Sequence, residues 1–128
     1  MLTIGIKGKQ TETVTAEKTA AVFGSGDLQV YATPAMAALM EKTALQSVAG
    51  ELGEGQSTVG TALQIAHSSA SPIGSVICCE SELVEIDRRR LVFSVVAYDD
   101  WGEIGRGTHE RFIVDIARFL AKTAAKQK

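Results

Sequence analysis

The sequence predicts an α+β fold in which one long helix is wrapped by a curved antiparallel β-sheet. Three observations lead there. Residues 33–50 read as a single helix, apolar at every position from Ala35 to Met40. From Thr58 onward the hydrophobic period changes to two and persists through four long stretches. The connections between those stretches are too short for crossovers, which predicts an antiparallel meander. A sheet with one apolar face and a helix buried nearly all round satisfy each other when the sheet curls around the helix.

The bulk properties set the frame. With 128 residues, 45% hydrophobic and 22% charged, the chain reads as one globular domain spanning residues 1–128. A net charge of −2 gives no reason to expect nucleic acid as a partner. Lys122, Lys126 and Lys128 form a basic tip that reads as a solvated end. No apolar run approaches the roughly 20 residues of a membrane span, and the amino terminus lacks the apolar core of a signal peptide. A cytoplasmic protein with no membrane partner is expected. The two cysteines, Cys78 and Cys79, are adjacent and point to opposite faces of a strand, so they read as reduced thiols in a reducing compartment.

Taken in order, residues 1–16 alternate loosely and suggest one or two short strands, with a bend at Gly5 and Gly8. Ala16–Phe23 can make one or two helical turns before Gly24-Ser-Gly26, and Leu28–Ala32 is a short extended piece. Thr33 is suited to an N-cap and Pro34 to the first helical position, while Gly50 suits the left-handed residue after a helix. A glycine-rich loop follows. In the first long strand Val59, Thr61, Leu63, Ile65 and His67 share one face, ending at Ser69-Ala-Ser-Pro-Ile-Gly74. Further strands are predicted over Ser75–Ile86, Arg90–Tyr98 and Glu103–Ile116, with turns at Asp87-Arg-Arg and Asp99-Asp-Trp-Gly102. Along the last strand Ile104, Arg106, Thr108, Glu110, Phe112, Val114 and Ile116 share a face. Ala117–Lys126 reads as a closing helix.

The residue that asks for an explanation is Glu41. It follows the apolar run directly, and its helical neighbours Ala37, Ala38, Ala44 and Leu45 offer no positive charge. A carboxylate there either reaches a partner or has its pKa pushed. Thr33 lies eight residues earlier, about 12 Å along a helix axis, so the two would bracket a site rather than touch. Of the two histidines, His67 ends a strand; His109 sits in the glycine-bearing stretch Gly105-Arg-Gly-Thr-His-Glu-Arg111. Each alone fits a structural role, His109 and Arg111 as a hydrogen-bonded rim of the sheet. Glycines inside a strand mark a bulge or a close backbone approach. There is no Gly-x-Ser-x-Gly elbow, phosphate loop, dinucleotide fingerprint or metal-ligand spacing.

Three motifs in order carry a resemblance over about residues 28 to 120. They are Val30-Tyr-Ala-Thr-Pro-Ala-Met-Ala-Ala-Leu-Met-Glu41, Gly60-Thr-Ala-Leu-Gln-Ile-Ala-His67, and Glu103-Ile-Gly-Arg-Gly-Thr-His-Glu-Arg111. The chain resembles the fluoroacetyl-CoA thioesterase-like family of hot-dog fold acyl-CoA thioesterases. The resemblance implies a central helix wrapped by the sheet and a homodimer whose sheets pair edge to edge, with stacking into tetramers left open. It implies a catalytic set of Thr33, Glu41 and His67 at the dimer interface, with no cofactor and an acyl-CoA as substrate. Gly60 matches a family glycine beside the site. Phe23, Met36 and Met40 are the expected lining of the acyl pocket.

The resemblance departs at Phe23-Gly-Ser-Gly-Asp-Leu-Gln-Val30, which has one phenylalanine where the specialised fluoroacetyl enzyme has a phenylalanine-bearing lid. A general small-acyl thioesterase is therefore expected rather than a fluoroacetyl specialist. Thioester hydrolysis would use Glu41 as nucleophile or as base toward water, His67 to move the proton, and the Thr33 hydroxyl to position substrate or water. The rival from another class is a non-catalytic acyl-CoA sensor or carrier. An enoyl-CoA hydratase is disfavoured, since neither histidine has an Asp five residues before it.

Overall fold

A computed structural model describes residues 1–127. Strand β1 (Lys7–Thr13) leads through a 3-10 turn (Ala16–Lys18) and the short helix α1 (Ala20–Phe23) to the long helix α2 (Thr33–Ala49). Strands β2 (Gln56–His67), β3 (Val76–Asp87), β4 (Arg90–Tyr98) and β5 (Glu103–Asp115) follow, and helix α3 (Ile116–Ala124) closes the chain. Lys128 of the predicted basic tip lies outside the described residues.

The five strands form one antiparallel sheet in the order β1-β3-β4-β5-β2, so the strands do not make a simple meander. Only β3, β4 and β5 do. β2 pairs with β5, Gln56 opposite Asp115 and His67 opposite Gly105. The link from β2 to β3 therefore crosses two intervening strands. Three inter-strand spacings come to about 14 Å, which eight residues covering up to about 26 Å span easily. The expected meander fails here because this connection is long enough to cross the sheet end.

Helix α2 departs from its predicted ends. Ala32 is the N-cap, its carbonyl accepting from the Ala35 and Met36 N–H groups at 3.0 and 3.1 Å, and Thr33 is already helical. The threonine hydroxyl is thereby released from capping. Gly50 sits at φ −73°, so the helix ends without a left-handed residue. The face formed by Ala35, Met36, Leu39, Met40, Thr43, Ala44 and Val48 is buried. It packs on Ile77, Leu83, Leu91, Phe93, Val95 and Ile104 from the sheet. The helix is not covered all round, however: Ala38 is exposed and Ala37 and Glu41 are half-buried, because one curved sheet covers one side only.

Two backbone details set the face of each site residue. A bulge between Gly60 and Ala62 makes Thr61 the extra residue of β2. Thr58 and Gly60 therefore face the helix together with Leu63, Ile65 and His67, whereas the uninterrupted alternation put Val59 and Thr61 there. In β5 the helix-facing set is His109, Arg111 and Ile113, while Phe112 is exposed. Gly105 and Gly107 do mark close approach: a Cβ on Gly105 would lie 2.8 Å from the Met36 sulfur, and one on Gly107 2.0 Å from the Gln64 carbonyl oxygen. Cys79 is buried and Cys78 half-buried, both as free thiols, and burial pushes the Cys79 thiol up to about 11. No helix of the described residues is long and apolar enough to cross a membrane.

Candidate active site

Thr33 and His67 meet. The first residue of α2 and the last of β2 bring Thr33 Oγ1 within 2.8 Å of His67 Nδ1. The imidazole is set by Tyr31, whose ring stands edge-on to it with centroids 6.3 Å apart. Tyr31 is itself fixed. Its hydroxyl donates to Glu12 at 2.5 Å, and Lys18 lies 3.3 Å from the same carboxylate. Burial lowers the pKa of His67, and the nearby Ser69 backbone opposes that shift. The ring is neutral at pH 7, with Nδ1 free to accept the threonine proton when Nε2 carries the hydrogen. Nε2 is buried with no hydrogen-bond partner among the described residues. A groove of about 250 Å³ runs past the pair, with Ala20, Ser25, Val30 and Tyr31 on one side and Ser68–Ala70 on the other.

Glu41 lies two turns further along α2 in a second cluster. A Cβ on Gly60 would sit 3.6 Å from Glu41 Oε1, 3.4 Å from an Arg111 guanidinium nitrogen and 3.2 Å from His109 Cε1. Glycine thus leaves an opening into which three polar side chains point. His109 and Arg111 are buried, not a rim. His109 Nδ1 lies 2.8 Å from the Ala62 carbonyl oxygen, which can only accept, so the proton is on Nδ1. Nε2 then accepts from Arg111 at 3.1 Å. Arg111 also donates to the Thr58 hydroxyl at 2.7 Å and the Thr58 carbonyl at 2.8 Å. Burial lowers the His109 pKa, helped by the positive charge of Arg111 and opposed by Ala62 and Glu41. The Arg111 pKa is lowered by burial and supported by Glu41. Glu41 makes no ion pair among the described residues; its carboxylate and the Arg111 guanidinium approach the same opening at Gly60.

Within one chain, then, the structure joins Thr33 to His67, and Glu41 to Gly60, His109 and Arg111; it does not bring Glu41 to His67. Met36 and Met40 are fully buried in the core. Phe23 is 49% exposed and does not line the groove beside Thr33. His109 and Arg111 are the polar side chains that sequence reasoning assigned to the wrong place. Their signal was the glycines at Gly105 and Gly107, four and two residues before His109 on the same strand face, where crowding leaves no room for a side chain. Among the described residues no group of three or more His, Cys, Asp or Glu is placed to hold a metal ion. A neutral imidazole beside a hydroxyl can move a proton, and a carboxylate beside an opening can activate a nucleophile.

The curled five-stranded sheet around a long helix is the hot-dog fold of thioesterases. A hot-dog-like protein from Thermanaerovibrio acidaminovorans shares it with a TM-score of 0.88 at 19% identity, covering 96% of this chain and 91% of that one. The profile of the family described as "Fluoroacetyl-CoA-specific thioesterase" matches residues 14–117, and the chain belongs to that family. The fluoroacetyl-CoA thioesterase of Streptantibioticus cattleyicolor is 38% identical over 98 residues, 77% of this chain and 70% of that protein. A solved structure of the fluoroacetyl-CoA thioesterase FlK is 31% identical with a TM-score of 0.92, each chain covered to 98%. A mutant of FlK in complex with acetyl-CoA gives a TM-score of 0.93 at 30% identity, covering 99% of this chain and 100% of that one.

Proposed function

We propose that the protein hydrolyses small acyl-CoA thioesters to the free acid and CoA, at a site completed across a homodimer by Thr33 and His67 of one subunit and Glu41 of the partner subunit. The observation that carries this reading is the Thr33–His67 hydrogen bond, whose buried Nε2 has no partner among the described residues, while Glu41 stands two turns away facing Gly60. A two-fold along the outer edge of β2 would bring the two half-sites together. Support for such pairing comes from β2 itself, a 12-residue edge strand. A long unpaired edge is a template for another strand. The free cysteines support residence in a reducing compartment, the cytoplasm.

In this mechanism the Glu41 carboxylate takes a proton from water as the oxygen attacks the thioester carbonyl. The carbonyl π electrons move to oxygen, where N–H groups and the positive end of the α2 dipole stabilise the charge. The proton passes from Glu41 to His67, and as collapse breaks the C–S bond the resulting imidazolium protonates the departing thiolate and returns to its neutral form. The groove beside Thr33, about 250 Å³, suits a small acyl group.

Thiol release from acetyl-, fluoroacetyl-, phenylacetyl- and palmitoyl-CoA tests the reading. A short-chain substrate should be cleaved fastest, and Glu41→Gln and His67→Ala should each lower kcat by about 10²–10⁴-fold in a folded protein. Wild-type rates in both variants would remove these residues from the mechanism.

A further inference from the structure

We propose that the groove between α3 and the outer face of β5 binds the nucleotide end of the CoA thioester, its phosphates on Arg89, Arg118 and Lys122 and its adenine on Phe112 and Phe119. This deepens the acyl-CoA reading above and rests on it. The groove measures about 320 Å³ and its lining is mainly apolar, with Phe112, Ile113, Val114 and Phe119. Phe112 and Phe119 are 40% and 38% exposed, an arrangement of rings that packing alone leaves unexplained. Arg118 and Lys122 are one helical turn apart and thus share a face of α3. Neither enters any ion pair among the described residues. Arg89 is held at the rim by the Ile113 carbonyl at 3.3 Å and by Asp115 at 3.6 Å. Asp115 is the one carboxylate in the lining, and Arg89 already answers it. Next to it a second groove, of about 470 Å³, shares Arg89 and Phe112 and adds Asp87, Arg88 and Arg90, the last paired with Glu85 and Glu110.

Charge complementarity selects the occupant. The chain is net negative, at −2, yet Arg118 and Lys122 stand beside two exposed rings on this face with no ion-pair partner among the described residues. A groove at the other sheet edge pairs Lys7 and Lys9 with Glu80 and Glu82 and has no such bias. Stacked rings and guanidinium groups recognise a purine bearing phosphates. The location agrees: Phe112 follows Arg111 in β5 and pairs with Val59, next to Gly60. Antiparallel pairing of two β2 edges would set this end of β2 beside the partner's His67, and because Phe112 lies on the sheet face opposite to Gly60, the pantetheine arm would pass round the strand end to reach the proposed site.

The test compares the best acyl-CoA substrate with the same acyl group on pantetheine, which lacks the nucleotide. For Arg118→Glu/Lys122→Glu, KM for the CoA thioester should rise by about tenfold at low salt and less at high salt, with the pantetheine thioester unchanged. Adenosine 3′,5′-bisphosphate should compete with the CoA substrate in the wild type and lose that effect in the variant. Equal KM changes for both substrates, or none, would overturn the proposal. So would a changed oligomeric state with an unchanged KM ratio, which would make this face an interface between copies. Should the wild type cleave neither thioester, the thioesterase reading fails by itself. Calorimetric titration with CoA then decides the groove: affinity lost in the variant upholds it, and unaltered affinity overturns it.

Discussion

Gly60→Ala perturbs the Glu41 cluster by a single methyl group. Its Cβ would lie 3.2 Å from His109 Cε1, 3.4 Å from the Arg111 guanidinium and 3.6 Å from Glu41 Oε1. Only the first contact is tighter than ordinary packing, and relief requires a few tenths of an ångström. The ring cannot give freely, because Nδ1 is tied to Ala62 and Nε2 to Arg111. The cost should fall at the low end of overpacking, about 1 kcal/mol. Activity should suffer more, since the methyl fills the opening onto which Glu41 faces; a loss of about ten- to a hundredfold in kcat/KM is expected. Urea denaturation and thiol-release kinetics read the two effects. Gly50→Ala serves as control: no atom lies within 4 Å of its Cβ and φ is −73°, so stability should hold or rise slightly. Wild-type kcat/KM in Gly60→Ala would refute the placement of reacting atoms at this opening.

The pH dependence follows from the two histidines, whose folded pKa values are lowered below the ordinary 6.5, mainly by burial. The unfolded chain therefore binds protons first as pH falls, so stability is full above about 6.5 and is lost toward the lower folded values. His109→Gln should flatten that loss in urea titrations at pH 5 and pH 8, and an unchanged pH slope would contradict it. The acid limb of kcat/KM should likewise fall below 6.5, and a limb above 7 would exclude His67 as the group observed. Gly107→Ala should cost more than about 3 kcal/mol or abolish folding, because its Cβ would meet the Gln64 carbonyl oxygen at 2.0 Å, a backbone atom of the paired strand. Tyr31→Phe removes the hydroxyl bonded to Glu12; a melting-temperature loss equivalent to about 1–2 kcal/mol is expected, and none would indicate that Lys18 satisfies the carboxylate alone.

Local chemistry made most elements legible. Pro34 and Gly50 bracketed α2, the change of period at Thr58 announced the strands, and Asp99 closes its turn by accepting from the Trp101 and Gly102 N–H groups. What a linear pattern does not carry is pairing. β2 alternates equally well beside β3 or β5, and only the folded chain reveals β5 as its neighbour. The bulge at Thr61 then reverses the facing of half the strand, which is why Val59 and Thr61 were put on the helix side. His109 and Arg111 were missed for a related reason. Buried polar side chains look like surface residues in a sequence, and only the Thr58 and Ala62 groups that hydrogen-bond to them make their burial affordable. The Thr33–His67 contact joins residues 34 apart, and the family resemblance pointed to it where periodicity could not.

The central claim is that each site draws on two subunits, and mixing two inactive variants tests it most directly. Thr33→Ala and Glu41→Gln, each expected to be nearly inactive alone, are combined in equal amounts under conditions of subunit exchange. A mixed dimer would then hold one intact site and one doubly damaged one. With half the dimers mixed, about a quarter of wild-type activity should return. No recovery after exchange has been verified by mass would mean that Thr33 and Glu41 serve the same chain, and the account of the site would fail.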